Sequence, residues 1–330
     1  MKLIPSLVLI LFAFVSAASH AKYQAPSAKT PITPGDRIEN LYPQQLSKPY
    51  ILQRLTNNVY WVSSHGYNAM FYVGKEGVLL FDPLEGGAGE NVLSAIKAVT
   101  PLPITGLVYS HYHLDHIGDA SVVLNSNNKM KIYATKTTTE HAKKYGGVPL
   151  PTEVISEPNG EFTFEGVRIE LHTPPQGHTD DDTIFFIPSE SVVHFVDMIN
   201  PDQMPYLNFA GVQDFNAYQE NLKFLLTLDW NLMNAGHGNI GTKEDVIFVL
   251  SYIEELKAAV KGTFGKIKSF SFQDPDYNHQ RAVLVYKAAI VEEILPEFEK
   301  KYGHYYGFKE AFPAQVSVIL GELQLYGTVE

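Results

Sequence analysis

The chain has 330 residues, 45% of them hydrophobic and 18% charged, which is ample for a large buried core. Its formal net charge of -11 disfavours a nucleic-acid partner, which would need a basic face. Cysteine is absent, and this excludes disulfide frameworks, thiolate metal ligands and cysteine nucleophiles.

At the N-terminus, Lys2 precedes the apolar run LIPSLVLILFAFV and then the small-residue stretch SAASHA. This is the three-part pattern of a secretory signal peptide. The run is short for a membrane span of ~20 residues. Cleavage is expected after Ala21, with Ala17 as second choice and an uncleaved anchor as the competing reading. Residues 1–21 are therefore read as signal, and residues 22–48 as a Pro-rich, poorly ordered lead-in. The mature protein is expected in the periplasm or outside the cell, without a stable membrane anchor.

From Pro49 the pattern becomes regular. YILQRLTNNVYWVSS and AMFYVG read as strands, with NN and HGYN as turns. GVLLFDP is an apolar strand ending at Asp82, and GENVLSAIKAV a helix stopped by TPLP. ITGLVYS is another apolar strand, and it runs into SHYHLDHIGD. DASVVLN suggests a short helix, KIYA a strand and TTTEHAKKYGG a capped helix. EFTFEGVRIELHT reads as a hairpin turning at Gly166, and TIFFIP and VVHFVD as a strand pair. DFNAYQENLKFLLTLDW is an amphipathic helix, and NLMNAGHG a strand running into a loop. The mixture of alternating strands and helices predicts an α/β layered fold over residues 49–242. Residues 243–330 are mostly helical in pattern, as in YIEELKAAV, RAVLVYKAAIVEEIL and AQVSVILGELQL. These helices extend the core, cover a pocket or form a homodimer interface.

Three of the chain's 12 histidines fall within residues 110–119. In HYHLDH, His111 and His113 point the same way if the chain is locally extended. Asp115 and His116 follow at a turn. Imidazole and carboxylate suit zinc, and also iron or manganese. One loop has too few ligands for two metal ions, but more candidates stand beyond later strands. His178 lies in QGHTDDD, Asp197 in HFVDMIN and His237 in NAGHGN, between glycines that permit close backbone approach. A closed structural zinc site needs four protein ligands, whereas ligands divided between two ions leave room for water and favour catalysis.

HYHLDH, GHTDDD, the aspartate of FVDMIN and AGHG, in this order, resemble the metallo-β-lactamase superfamily over roughly residues 51–241. The resemblance implies a four-layered αββα sandwich with the helical stretch as a C-terminal extension. It implies that His111, His113 and His178 bind a first divalent metal, that Asp115, His116 and His237 bind a second, and that Asp197 bridges them. Zinc is the favoured ion. It also implies hydrolysis by a metal-bridging hydroxide, with Asp115 orienting it or shuttling its proton. A lactone or β-lactam is the favoured substrate, within a class of small-molecule esters and amides. A glyoxalase II-like thioesterase, a phosphodiesterase and a metal-site binding protein without turnover are the alternatives. The best-known zinc β-lactamases carry a cysteine at Asp197 and a substrate-holding lysine where this chain has Asn200, and both departures weaken a direct β-lactamase reading.

Other residues are weighed individually. Asp119 reads as a helix cap or as a partner of the ligand loop, and Asp82 as a support for that loop. Asp180, Asp181 and Asp182 read as solvated turn acids, one of which could orient His178. His65 and Tyr67 are either a surface turn or a substrate contact. Residues 204–211 (MPYLNFAG) either roof a pocket or pack ordinarily. His172 reads as a strand end and His20 as lost with the signal. His141, His194, His279 and His304 lack partner spacing and read as surface or core.

Overall fold

The computed structural model describes residues 33–267 and 278–326. The expected signal peptide, His20 and residues 22–32 of the lead-in lie outside these residues. No helix among the described residues is long and apolar enough to cross a membrane.

A short helix, α1 (Leu41–Ser47), precedes a seven-stranded sheet whose spatial order follows the chain. Its strands are β1 (Ile51–Arg54), β2 (Val59–Ser64), β3 (Tyr67–Val73), β4 (Val78–Phe81), β5 (Ile104–Val108), β6 (Lys131–Thr135) and β7 (Glu153–Ile155). β1 to β4 pair antiparallel, and β4 to β7 run parallel. Parallel neighbours need crossovers. These are α2 (Ala88–Val99), then α3 (Leu114–Ile117) with α4 (Ala120–Ser126), then α5 (Lys136–Tyr145). The second sheet holds β8 (Asn159–Phe164), β9 (Val167–His172), β10 (Ile184–Ile187) and β11 (Val192–His194), all antiparallel. β12 (Leu232–Asn234) joins β11 in parallel after the turn α6 (Asn208–Gly211) and the helix α7 (Phe215–Thr227). The chain continues through α8 (Lys243–Thr263), α9 (His279–Tyr302) and α10 (Phe308–Tyr326).

The expected αββα layering is present, and single strands show why. β4 is apolar throughout because both its faces are covered. Leu79 and Phe81 point into the core between the sheets, where they meet Phe185, Ile187 and Val192 of the second sheet. Val78 and Leu80 point outward onto Val92 and Ile96 of α2. β10 repeats the pattern: Phe185 and Ile187 face the other sheet, while Ile184 and Phe186 face Tyr218, Leu222, Val249 and Ile253 of α7 and α8. Phe298, Phe312 and Ile319 of α9 and α10 belong to that same outer core. The C-terminal helices therefore complete the fourth layer.

Three elements depart from the sequence reading. The lead-in was expected to be poorly ordered to residue 48, yet Ile38 and Leu41 are buried. Asn239 holds Ile38 at both ends, accepting from its N–H at 3.0 Å and donating to its carbonyl at 2.9 Å. β7 was missed because it is only three residues long, with Ile155 buried and Val154 exposed. The HGYN turn is shorter than read, since Tyr67 and Asn68 already pair with Ser64 and Ser63.

Candidate metal centre

The candidate ligands gather at the carboxyl ends of parallel strands, where loops can converge on one point. β5 leads into residues 109–117, which carry His111, His113, Asp115 and His116. Beyond β11 and β12 the parallel pairing continues, with Phe195 N–H on Asn234 O and Asp197 N–H on Ala235 O, both at 3.0 Å. That pairing sets Asp197 beside the loop of His237. His178 enters from the loop between β9 and β10.

All seven residues fall into two quartets that share Asp197, with the ligand atoms of each within 4.8 Å of one another. In the first, Asp197 Oδ2 stands 3.6 Å from His111 Nε2, 3.4 Å from His178 Nε2 and 4.0 Å from His113 Nδ1. In the second, Asp197 Oδ1 stands 3.1 Å from His116 Nε2 and 3.2 Å from His237 Nε2. Asp115 Oδ2 closes it at 3.4 Å and 3.5 Å from the same two nitrogens. His111 Nε2 is buried with no hydrogen-bond partner. A buried, unpartnered imidazole nitrogen is costly unless something accepts its lone pair. With three imidazoles and a carboxylate converging in the first quartet, and two imidazoles and two carboxylates in the second, a divalent metal fits each donor set.

The far side of three of the rings is also held, which fixes their orientation. His111 Nδ1 meets Ser110 Oγ at 3.0 Å, and His237 Nδ1 meets Gly66 O at 3.2 Å. His178 Nδ1 meets Ala210 O. That carbonyl is aimed by a left-handed turn in which Asn208, Phe209 and Ala210 all have positive φ. Each such residue costs roughly 1–2 kcal/mol. Asp197 and Asp82 are likewise left-handed, with φ of 65° and 58°. Strain of this kind persists where surrounding contacts impose it.

Asp82 supports the ligand loop as expected, accepting from Ser110 N–H at 2.9 Å. Its other oxygen meets His194 Nε2 at 3.0 Å and lies 3.8 Å from His116 Nδ1. His194 was read only as surface or core. It is fully buried, and its Nδ1 faces Asn234 Nδ2 at 3.0 Å. A lone histidine inside the apolar run VVHFV was the available signal. Asn68 was missed as well: its amide donates to Gly238 O at 2.8 Å and its N–H to Gly236 O at 2.7 Å, which holds the His237 loop on β3.

Asp119 stands before α4 but makes no side-chain cap to it. Instead its Oδ2 accepts from Gly87 and Gly89 N–H, both at 2.9 Å, at the start of α2. Of the three acids after His178, only Asp180 is exposed, against the reading of all three as solvated. Asp182 accepts from His178 and Thr179 N–H, and Asp181 from Tyr112 N–H, so both hold ligand-loop backbone. His141 pairs with Asp180 at 2.7 Å. His65, Tyr67, Tyr206 and Ala210 line a cavity of about 400 Å³ over the quartets, so residues 204–211 do roof it. His172 ends β9 as expected, and His279 and His304 are exposed.

Residues 65–237 match the family described as the metallo-beta-lactamase superfamily. The chain belongs to the metallo-beta-lactamase superfamily. Metallo-beta-lactamase IND-1 of Chryseobacterium indologenes is 28% identical over 172 residues, 51% of this chain and 70% of the relative. The 2,4-dinitroanisole O-demethylase subunit alpha of Nocardioides sp. (strain JS1661) is 26% identical over 187 residues, 54% of each chain. The solved structure of metallo-beta-lactamase IND-7 superposes with a TM-score of 0.52 at 25% identity, over 62% of this chain and 99% of that one. As a member of the superfamily, this chain is a metal-dependent hydrolase.

Burial opposes charge throughout this superfamily site, and neighbouring charges overcome it at Asp197, Asp115 and His237 but not at His111. Burial alone would raise the Asp197 carboxyl, but His116 and His237 outweigh it and hold it well below the usual range. Asp115 is also lowered, burial being overcome by His237 and His116. Burial presses His111 well below its ordinary value, and Asp197 offsets this only in part. Burial likewise lowers His237, but Asp197 and Asp115 carry it up to about 10.

Ligand imidazoles must be neutral, whereas metal-free His237 keeps its proton until the pH approaches about 10. Zinc uptake near pH 7.5 should therefore expel protons, and affinity should weaken as pH falls. Calorimetry in buffers of different ionisation enthalpy reads this directly, and a buffer-independent heat would contradict it. Gly236 offers a steric test. With φ of 80°, a Cβ there would stand 2.7 Å from Val196 Cβ and 2.8 Å from His116 Cε1. Gly236→Ala should lower metal content and cost roughly 1–3 kcal/mol of stability through strain. Metal analysis and thermal melting check it, and wild-type values in both would show that the backbone yields.

Proposed function

We propose that the chain is an exported hydrolase of uncharged carboxylic esters, with lactones favoured over β-lactams. The observation that carries this is the charge of the pocket. Among the described residues, the lining of the 400 Å³ cavity includes no lysine or arginine, and Asn200 stands in it where the best-known β-lactamases would place a lysine. Apart from the metal ions that the quartets would hold, a carboxylate-bearing substrate would find no lysine or arginine in the lining to receive it. The relatives' names span β-lactamases and an O-demethylase, so family membership alone does not choose the bond. The expected signal peptide supports export, and N-terminal sequencing of the secreted protein should begin at Lys22 if cleavage follows Ala21.

Two divalent ions in the quartets would supply Lewis acidity and lower the pKa of water. The protein's own groups do the rest. The His178 and His237 rings are braced by Ala210 O and Gly66 O, so the donor set is preorganised. Asp115 reaches the cavity and is held ionised, which suits a carboxylate oxygen to accept the proton of the attacking water. Water oxygen joins the carbonyl carbon, the ring C–O bond breaks, and the leaving oxygen takes a proton. The product is a hydroxy acid that releases one proton near neutral pH. Tyr206 and Tyr67 give the cavity an aromatic wall.

Acid release by the purified mature protein tests this, using a neutral lactone, a β-lactam, an acyl-glutathione thioester and a phosphodiester, each with and without chelator. The lactone should turn over with the highest kcat/KM and stop with chelator. Asp115→Asn should lower kcat roughly 10²–10⁴-fold, the usual worth of a positioned proton acceptor. Preference for the β-lactam, or full activity in Asp115→Asn, would overturn the reading.

A further inference from the structure

A second and larger cavity, about 1070 Å³, opens beside the one over the quartets. The two are continuous, since His65, Gly66, Asn200, Tyr206 and His237 line both. The far walls come from outside the segment that matches the family. α1 contributes Tyr42 and Leu46, and the approach to α10 contributes Tyr306 and Ala311. Between them runs the 204–207 segment, with Met204 and Leu207. From these observations we infer that this cleft is a subsite for the long, apolar and uncharged tail of the substrate, an inference that rests on the ester reading above for the identity of the reacting group.

Three features carry it. The first is apolar exposure. Leu46 is 91% exposed, Tyr206 and Tyr306 58% each and Leu207 38%, and all four border this one cleft. Large apolar side chains gathered at one opening mark a surface that a ligand covers. The second is that the walls are built. Tyr42 and Tyr306 stack at 3.7 Å with planes 8° apart, which joins the two termini across the cleft. Met204 N–H donates to Tyr306 O at 3.1 Å. Gln315, wholly buried in α10, donates to Pro205 O and accepts from Tyr252 of α8. The roof is thereby bolted to the C-terminal helices. A preformed wall of this kind spares a ligand the cost of ordering it. The third is charge. Glu310 is the only Asp, Glu, Lys or Arg among the lining residues described, so an anionic tail lying along these walls meets a carboxylate and no lysine or arginine. The size lies at the upper end of sites for drug-sized ligands, roughly 300–1,000 Å³. That exceeds what a bare lactone or small ester needs once its reacting group occupies the smaller cavity.

The test separates tail binding from hydrolysis by using ligands that cannot be hydrolysed. The metal-loaded mature protein is titrated with 4-nitrophenyl alkyl ethers from ethyl to octyl, and Kd is measured by calorimetry. Each added methylene should tighten binding by roughly fourfold, the gain expected for burying it. An ether ending in a carboxylate should bind more weakly than its neutral counterpart of equal length. Ala311→Phe, which fills the cleft from its wall, should flatten the dependence on chain length. Leu46→Asp should flatten it as well, and its 91% exposure leaves the core untouched if the first variant folds poorly. Metal stoichiometry at the wild-type value confirms that each variant retains its site. Affinity that ignores chain length, a slope unchanged in Leu46→Asp, or a preference for the carboxylate would overturn the inference. Ester turnover is not read in this experiment. A steep slope in a protein that hydrolyses no ester would refute the proposed reaction and leave the subsite standing.

Discussion

One buried carboxylate organises this molecule. Asp197 lies in a layer interface with five imidazoles within 4.0 Å of its two oxygens and a second carboxylate nearby. A buried charge is tolerable only when it is paired and hydrogen-bonded. The surrounding rings, and the metal ions they fit, meet that condition from two sides. The constraint reaches into the backbone. Asp197 is held left-handed, with its N–H on Ala235 O, so the carboxylate cannot relax away without unpairing the continuation of β11 and β12. The fold is thus arranged to bring cationic or metal-bearing partners to one point, and it tolerates local strain to do so.

Behind the ligands runs a polar chain that ties the two sheets together. Asp82 at the end of β4 meets His194 of β11, His194 meets Asn234 of β12, and Asn234 reaches Asn68 O on β3. Each member lies in surroundings of low dielectric, where a satisfied hydrogen bond is strong and an unsatisfied one is expensive. The chain also has a direction. Asp82 is in contact with Ser110 N–H, and so with the His111 loop. Asn68 is in contact with Gly236 and Gly238, and so with the His237 loop. One network therefore sets the relative position of loops that belong to different quartets and different sheets.

Much of this was legible in the chain itself. HYHLDH, His178, Asp197 and His237 each follow an apolar strand, and strand ends are where a layered α/β fold exposes polar side chains to a common cleft. The unbroken apolar runs VLLF and IFFI, read with helices on either side, led to the covered sheets. What escaped was whatever depends on contacts distant in sequence. Asp119 looked like a cap for the helix after it, and only folding shows that it caps the helix before it. Asp181 and Asp182 looked like solvated turn acids, because composition does not reveal that their oxygens face the backbone of the ligand loops. The left-handed turn of residues 208–210 left no trace, since Asn, Phe and Ala do not announce positive φ. α1 was hidden within a Pro-rich stretch, and the segment leading into it is held at Ile38 by Asn239, about two hundred residues away.

The same contrast separates chemistry from selectivity. The ligands and their braces lie almost wholly within residues 65–237, the part that resembles relatives whose names include both β-lactamases and an O-demethylase. A site so shared cannot by itself decide what is cut. Outside it lie α1, β1 and β2 at one end and α8 to α10 at the other, and the helices among them are not appendages. Phe298, Phe312 and Ile319 share a core with β10 and α7, while Gln315 and Tyr306 hold residues 204–206 in place over the quartets. Because the roof is fastened to the terminal helices, any change in their packing is felt at the mouth of the site, and changes in the metal ligands leave their apolar walls alone. The terminal segments can thus alter which molecule is admitted while the buried carboxylate and its imidazoles remain as they are.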